Sequence, residues 1–488
     1  MRLDHGSRLP ATLLDGRAWV AGEWIPGDRT FAVDDPATGE TIGATASLNV
    51  ADVDRAIDAA AEAFTAWRGL LPVERGTVLR AWASAMRRET EALATLITFE
   101  QGKPLGESRA EIAYAAGFLD WFAAEGERAY GETIPSHKPG SLLHVRMQPV
   151  GITAAVTPWN FPSAMITRKA GAAIAAGCPM IVVPAPETPF SALALARLGI
   201  EAGLPAGVFQ VLTGDPKVLV ARLVERTEVR ALSFTGSTEV GRILLAGSAA
   251  TVKKVSMELG GHAPFIVFDD APLEVAVRGA IDAKFATSGQ DCLAANRIYV
   301  QRGIYARFVE AFGRAVEALE VGHGLNPATT IGPMTKLAVA DKCRSHIADA
   351  VANGARVVTG GAEPFRHATF VRPTVLADVT DAMLIAREET FGPVAAVLPF
   401  DNETEVVRRA NATEMGLAAY LYDNDLRRTM RVSEALEYGM VGVNTASFTG
   451  PPIPFGGWKQ SGLGREGSRH GLTEYMELKY VCFGDLAA

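Results

Sequence analysis

The apolar positions of this chain change period twice, and the changes divide it. From Val53 to about residue 130 they recur every three or four residues, the spacing of one helix face. Val53, Ile57, Ala60, Phe64 and Trp67 form the first stripe, with Asp52 as candidate N-cap. Further helices are predicted over about 73–99 and 107–130, making three amphipathic helices whose aromatic stripes read as core. Ahead of them, Asp35-Pro36-Ala37-Thr38-Gly39-Glu40 reads as a tight turn between short strands. Residues 131–150 alternate instead, with Leu143, Val145 and Met147 on one face. This segment lies between helices, and an isolated hairpin is marginal. It is expected to pack on another part of the protein or on another subunit.

From Gly151 short apolar runs alternate with helical stretches. The runs are Ile152–Val156, Met180–Val183, 208–212 and 231–234, and the helices between them fall at about 164–176, 191–202 and 218–225. This βαβαβ pattern predicts a parallel, doubly wound sheet. Such sheets bind ligands at the carboxyl ends of their strands, where Thr157, Gly214 and Thr235 fall. A second α/β region begins after Gly261, with strands at 264–268, 297–300 and 357–359 and helices at 276–285, 305–319 and 337–353.

Bulk properties narrow the class. A chain of 488 residues makes about three domains at roughly 150 residues each. The net charge of −8, without a Lys/Arg run, gives no basic face for a nucleic acid. The segment from Met1 to Gly22 lacks the charge-then-apolar order of a signal peptide. The most apolar stretch, 170–186, is interrupted by Pro179 and Pro184 and falls short of the ~20 residues of a membrane span. Four cysteines, Cys178, Cys292, Cys343 and Cys482, are scattered with no C-x-x-C and no His pair. No metal site is expected, and the usage fits a reducing cytoplasm.

Candidate chemistry lies in a few glycine-flanked segments. Phe234-Thr235-Gly236-Ser237-Thr238-Glu239-Val240-Gly241 runs from a strand into a helix, and a helix start with close glycine backbone suits phosphate. Its G-x-x-x-x-G spacing is not the dinucleotide fingerprint, and it reads equally as a capped helix start with Thr235 or Ser237 as N-cap. The preceding βαβ run tips the balance toward a dinucleotide. Cys292, after Gly289-Gln290-Asp291, is a nucleophile if its thiolate forms, and a small core residue otherwise. Asp291 opposes thiolate formation unless its side chain points away. Glu258 ends the apolar run Val255-Ser256-Met257 and precedes Leu259-Gly260-Gly261. It is a candidate general base, against the commoner fate of a solvated or paired glutamate. Asn160, in Thr157-Pro158-Trp159-Asn160-Phe161-Pro162, can offer an amide to an oxyanion or cap a turn.

Together with Glu388-Glu389-Thr390-Phe391-Gly392-Pro393 and the segment from Pro454 to Gly467, these motifs resemble the ordered signatures of the aldehyde dehydrogenase superfamily. The resemblance spans essentially the whole chain. Its spacing agrees: 34 residues separate Glu258 from Cys292, and 97 separate Cys292 from Glu389. Within the superfamily the chain resembles the succinate-semialdehyde dehydrogenases, through Met165-Ile166-Thr167-Arg168-Lys169, the run from Ala263 to Phe268 and Gly464-Arg465-Glu466-Gly467-Ser468.

The resemblance implies an α/β fold. A Rossmann-type cofactor domain would take 1–128 and 149–260, an α/β catalytic domain 261–460, and a small β oligomerisation element 129–148 and 472–488. It implies a homodimer or homotetramer using NAD or NADP, acting on a small aldehyde such as a short semialdehyde, without nucleic acid or membrane. Cys292 would attack the aldehyde, Asn160 and the Cys292 N–H would hold the oxyanion, hydride would pass to nicotinamide, and Glu258 would activate water. Lys169 would support the site near Asn160. Thr157, Pro158, Trp159, Val183, Gly214, Thr235, Gly236 and Ser237 would line the cofactor, with Glu389 and Phe391 at the nicotinamide ribose and ring. Arg168, Phe161, Asp291 and Phe455 would line the substrate.

The chain departs from the family at both ends of the site. Val183 and Pro186 stand where a ribose-binding lysine and glutamate are usual, and Glu187 is a shifted substitute. Ala286 stands where a second carboxylate-binding arginine is usual, and Asp291 adds a negative charge. The loop from Ser447 to Ile453 is proline-stiffened. The best substrate is therefore expected to differ from succinate semialdehyde, with an uncharged aldehyde as one alternative. Glu258 weighs against an acylating, coenzyme A-dependent relative. No histidine in a comparable motif supports a cofactor-free thiol hydrolase, and a binding protein on an old enzyme scaffold remains the third reading. His262, where the family often has asparagine, is read as structural.

Overall fold

The computed structural model describes residues 9–363, 365 and 367–486. The first eight residues of the Met1–Gly22 reading and the last two of the 472–488 element lie outside them.

The βαβ pattern of the middle region produces a mixed sheet of eight strands. Their order is Glu23–Ile25, Ala18–Val20, Phe209–Val211, Met180–Val183, Ile152–Val156, Val229–Thr235, Lys254–Glu258 and Gly462–Leu463. The five strands from Phe209–Val211 to Lys254–Glu258 are parallel. Their chain order reverses between Ile152–Val156 and Val229–Thr235, so the sheet's switch point, where a ligand crevice opens, lies past Val156 and Thr235. Apolar strands buried on both faces explain the continuous runs seen in the sequence. Strands from the N-terminal region join as antiparallel neighbours, Ala18–Val20 pairing with Phe209–Val211.

A second sheet of seven strands follows the order Arg356–Thr359, Thr374–Ala377, Val394–Phe400, Ala295–Gln301, Ala263–Val267, Ala418–Tyr422 and Met440–Val443. All but the first pairing are parallel. The expected α/β architecture is present, with two separately buried sheets.

The helical region differs from expectation in two details. Four helices form, Val50–Trp67, Pro72–Arg88, Thr90–Gln101 and Leu105–Glu125, because Glu89 leaves helical geometry at ψ 17° and splits the second one. The first N-cap is Asn49, not Asp52. Asn49 Oδ1 accepts from Ala51 and Asp52 N–H, and Asp52 Oδ2 returns a bond to Asn49 N–H at 3.0 Å, closing a capping box.

The extended segment finds its partner at the far end of the chain. Leu142–Pro149 pairs antiparallel with Met476–Phe483 along its whole length, and with Glu132–Ile134 on the other side. Met476–Phe483 is an edge strand, and it leaves Leu478 70% and Tyr480 55% exposed. Among the described residues no helix is long and apolar enough to cross a membrane.

Candidate active site

The first sheet ends where the second begins. Glu258 is the last residue of Lys254–Glu258, and Ala263–Val267 starts five positions later. Cys292 lies just before Ala295–Gln301, the neighbour of Ala263–Val267. The site is therefore built between the carboxyl ends of one parallel sheet and the amino ends of the other.

The cysteine loop is held in an uncommon shape. Thr287, Ser288 and Gly289 have φ of 50°, 56° and 74°, a left-handed run that costs energy at the two non-glycine positions. Its neighbours fix it. Ser288 Oγ accepts from Gly332 N–H at 2.8 Å, and Gln290 Oε1 accepts from Thr335 N–H at 2.9 Å. A side chain at Gly289 would meet the Gly392 carbonyl at 2.3 Å, and one at Gly261 would meet the Cys292 carbonyl at 2.2 Å. These two glycines are thus required for the backbones to close around the thiol.

Burial, then the charges of Asp291 and Glu389, push the Cys292 thiol well above its usual range. Asp291 does not turn away: it lines the same cavity as Cys292, with Oδ1 accepting from Leu293 N–H at 2.9 Å.

Glu258 is buried, and among the described residues neither carboxylate oxygen has a hydrogen-bond partner. Its Oε1 lies 2.9 Å from where a Gly456 side chain would begin. Burial, then the charge of Glu466, raise its proton affinity well above that of an ordinary carboxylate. Glu466 is opposite in character. Burial works against its charge, but Lys169 and Arg168 hold it below the usual range. Lys169 Nζ donates to Glu466 and to Ser233 Oγ, the latter at 2.9 Å. Arg168 Nη2 lies 2.8 Å from Glu466 Oε2, and its guanidinium stacks 3.9 Å over Phe455.

Asn160 Nδ2 donates to the Gln290 carbonyl at 3.1 Å, which ties it to the cysteine loop and leaves its second N–H available. The lysine bonded to Asn160 is Lys103, whose Nζ donates to the Asn160 carbonyl at 2.6 Å. Lys169 is occupied with Ser233 and Glu466 instead. Lys103 also pairs with Glu111 at 2.8 Å, both side chains fully buried. Glu111 in turn accepts from Ser163 N–H at 2.8 Å at the start of helix Ala164–Ala176, which carries Arg168 and Lys169. Lys103→Met leaves Glu111 charged and unpaired, a loss of about 3–5 kcal/mol for a broken buried pair. Chemical denaturation is expected to show that loss and a double Lys103→Met, Glu111→Gln variant to regain much of it. A single variant as stable as the parent would contradict the pairing.

Two cavities meet at Cys292 and Met165, the residues common to both linings. The narrower one, about 210 Å³, is lined by Pro158, Trp159, Asn160, Thr235, Gly236 and Ser237 from the switch point of the first sheet, and by Leu259, Gly260, Glu389 and Phe391. Ser237 is the N-cap of helix Thr238–Ala249, accepting from Val240 N–H at 3.3 Å, so that helix start opens on this cavity. Thr157 Oγ1 and Thr235 Oγ1, at the two strand ends, are buried without hydrogen-bond partners. Glu389 Oε1 accepts from Gly261 N–H at 3.1 Å, and burial lifts its carboxyl to about 7. Phe391 meets Trp159 edge to face at 5.5 Å. The wider cavity, about 350 Å³, is walled by Phe161, Phe455, Tyr114, Thr449, Arg168, Asp291 and Glu107.

Residues 24–481 match the aldehyde dehydrogenase family. The chain belongs to that family. This aldehyde dehydrogenase is 52% identical over 478 residues to glutarate-semialdehyde dehydrogenase of Pseudomonas aeruginosa, covering 98% of this chain and 99% of that one. It is also 52% identical to the NADP(+) succinate-semialdehyde dehydrogenase GabD of Escherichia coli, over 97% of this chain and 99% of that one. The crystal structure of succinate-semialdehyde dehydrogenase from Burkholderia pseudomallei superposes with a TM-score of 0.97 at 50% identity, covering 98% of this chain and all of that one. The fold and the family expected from the motifs are thus correct, and the chain is an oxidoreductase.

The structure brings Cys292, Asn160, Pro158, Trp159, Thr235, Gly236, Ser237, Glu389 and Phe391 around one dehydrogenase cavity, and Arg168, Phe161, Asp291 and Phe455 around the other. Thr157, Lys169, Val183, Gly214 and Glu258 are not in either lining. Val183 is bonded through its carbonyl to Thr157 N–H at 3.1 Å, and Gly214 packs on the Leu48 backbone, both along neighbouring strand ends. Glu187, the shifted substitute, is engaged by Lys336. His262 is buried between Ala386 O and Asn296 Nδ2, and burial lowers its imidazole to about 3, which agrees with a structural role. Lys103, Glu107, Tyr114 and Glu466 were not singled out as site residues from sequence. Three of them lie in the helical region whose spacing reads as packing.

Proposed function

We propose that this chain oxidises a short semialdehyde to the carboxylic acid, with NAD or NADP as oxidant and Cys292 as nucleophile. The observation that carries the reading is the position of Cys292 at the boundary of two cavities, one facing each reactant. The narrower cavity suits a dinucleotide. It has a helix start for phosphate, the Thr235 hydroxyl at a strand end, and Glu389 and Phe391 for the nicotinamide ribose and ring. When bound there, the cofactor would supply the oxidising power, as a hydride acceptor beside Cys292.

The chain's own groups do the rest. Cys292 Sγ adds to the carbonyl carbon as its proton passes to solvent, and the oxygen becomes an alkoxide. The unused Asn160 N–H and the Cys292 backbone N–H are the donors for that oxyanion. Glu258 then takes a proton from water, which attacks the thioester, and the carbon–sulfur bond breaks to release the acid and restore the thiol. The Lys169–Glu466 pair positions charge behind Glu258 rather than touching the substrate. Arg168 receives a carboxylate at the far end of the aldehyde. Both curated relatives act on aldehydes with such a carboxylate, which supports a semialdehyde here.

The same reading divides the chain into a cofactor domain at 1–128 and 149–260, a catalytic domain at 261–460 and an oligomerisation element at 129–148 and 472–488. The exposed apolar side chains of edge strand Met476–Phe483 support a homodimer or homotetramer joined by sheet extension. Sparse, unpaired cysteines support a cytoplasmic home.

Purified protein incubated with short semialdehydes and either cofactor is expected to form reduced nicotinamide, followed by absorbance. Absence of turnover with every aldehyde and both cofactors would overturn the proposal.

A further inference from the structure

The charges along the wider cavity are of two kinds, and one substrate class matches both. Arg168 is buried, its Nε has no hydrogen-bond partner among the described residues, and its Nη2 is near Glu466 without the alignment of a hydrogen bond. Glu466 is shared with Lys169, so two cations face one carboxylate and a positive charge is left over. Elsewhere in the wall the sign reverses. Glu107 accepts Thr287 N–H on both oxygens at 3.0 Å, and Asp291 accepts Leu293 N–H on Oδ1. Each has acceptor capacity to spare. Neither forms an ion pair among the described residues, and the neighbouring Lys103 is committed to Glu111. Ala286, in the same wall, carries no charge.

An aldehyde bearing only a carboxylate satisfies Arg168 but brings no cation to Glu107 and Asp291, whose carboxyls burial raises above their usual range, Glu107 to about 7. One bearing only an ammonium leaves the buried guanidinium unmatched. We infer that the preferred substrate carries both groups. It is a short amino-acid semialdehyde, its carboxylate on Arg168 and its ammonium on Asp291 and Glu107. The inference rests on the proposed function of this same cavity and names the substrate within it.

Three aldehydes of one chain length test it: butanal, 4-oxobutanoate and 2-amino-4-oxobutanoate, each with NAD and with NADP. The amino compound is expected to exceed 4-oxobutanoate at least tenfold in kcat/KM. Asp291→Asn and Glu107→Gln, both near-isosteric, should each cut that ratio at least tenfold, mainly through KM. Turnover with 4-oxobutanoate equal or superior to the amino compound would overturn the inference and leave the proposed function standing. So would a ratio unmoved in both variants. Silence with all three aldehydes and both cofactors would overturn both.

Discussion

Cys292→Ala is expected to abolish aldehyde oxidation, with a loss of about 10⁴-fold or more, because it removes the atom that carries the covalent intermediate. No other thiol can replace it. Cys178 is buried with its Sγ on the Tyr475 carbonyl, Cys343 is buried against Gly392, and Cys482 is on the exposed tail strand. Burial, then Asp291 and Glu389, raise the proton affinity of the Cys292 thiol, so its reactivity must be developed at the moment of attack. Two measurements check the expectation: reduced-cofactor formation, and the intact mass of enzyme mixed with aldehyde. The variant should show neither turnover nor adduct while keeping the parent's melting curve. A variant retaining even a hundredth of the activity would sink the mechanism.

Glu258→Gln is expected to separate the two halves of the reaction. The thiol can still attack, so rapid mixing should show one burst of reduced cofactor. Hydrolysis should then fall by about 10²–10⁴-fold, the usual contribution of a positioned general base. The dependence on pH adds a sign. Burial and Glu466 raise the Glu258 pKa, so its proton is retained at pH values where an ordinary carboxylate is ionised. The base form therefore grows as pH rises through that raised value, and wild-type turnover limited by hydrolysis rises with it. The glutamine variant should lose that rise. Equal turnover and an equal pH profile in both proteins would exclude Glu258 as the base.

The chemistry was more legible in the sequence than its support was. Cys292, Glu258 and Asn160 stand in short motifs whose glycines and spacing identify them. The bounds of Ile152–Val156 and Met180–Val183 were readable because glycine and proline flank buried apolar runs. Glu466 was visible within a motif, but its buried place between Arg168 and Lys169 depends on a return of the chain almost 300 residues later. Lys103 and Glu111 fall in a region of helical spacing, where a buried ion pair and a surface one look alike. The strands Thr374–Ala377, Val394–Phe400, Ala418–Tyr422 and Met440–Val443 were not read, because short apolar runs without a clear helix between each of them lack the alternation that marked the first sheet. The break at Glu89 has no proline or glycine to announce it.

Glu466 answers to both ends of the site at once. One oxygen faces the guanidinium that looks into the wider cavity, the other holds Lys169, and its charge reaches Glu258. A substitution at Arg168 is therefore felt at the water-activating carboxyl, and the effects of changing both will not add. For a lineage moving from one aldehyde to another, Arg168 is a poor place to begin. Ala286 and Thr449 line the same cavity and, among the described residues, have no hydrogen bond or ion pair to Glu466 or Glu258. Taste can drift at those loop positions while the reaction itself stays put.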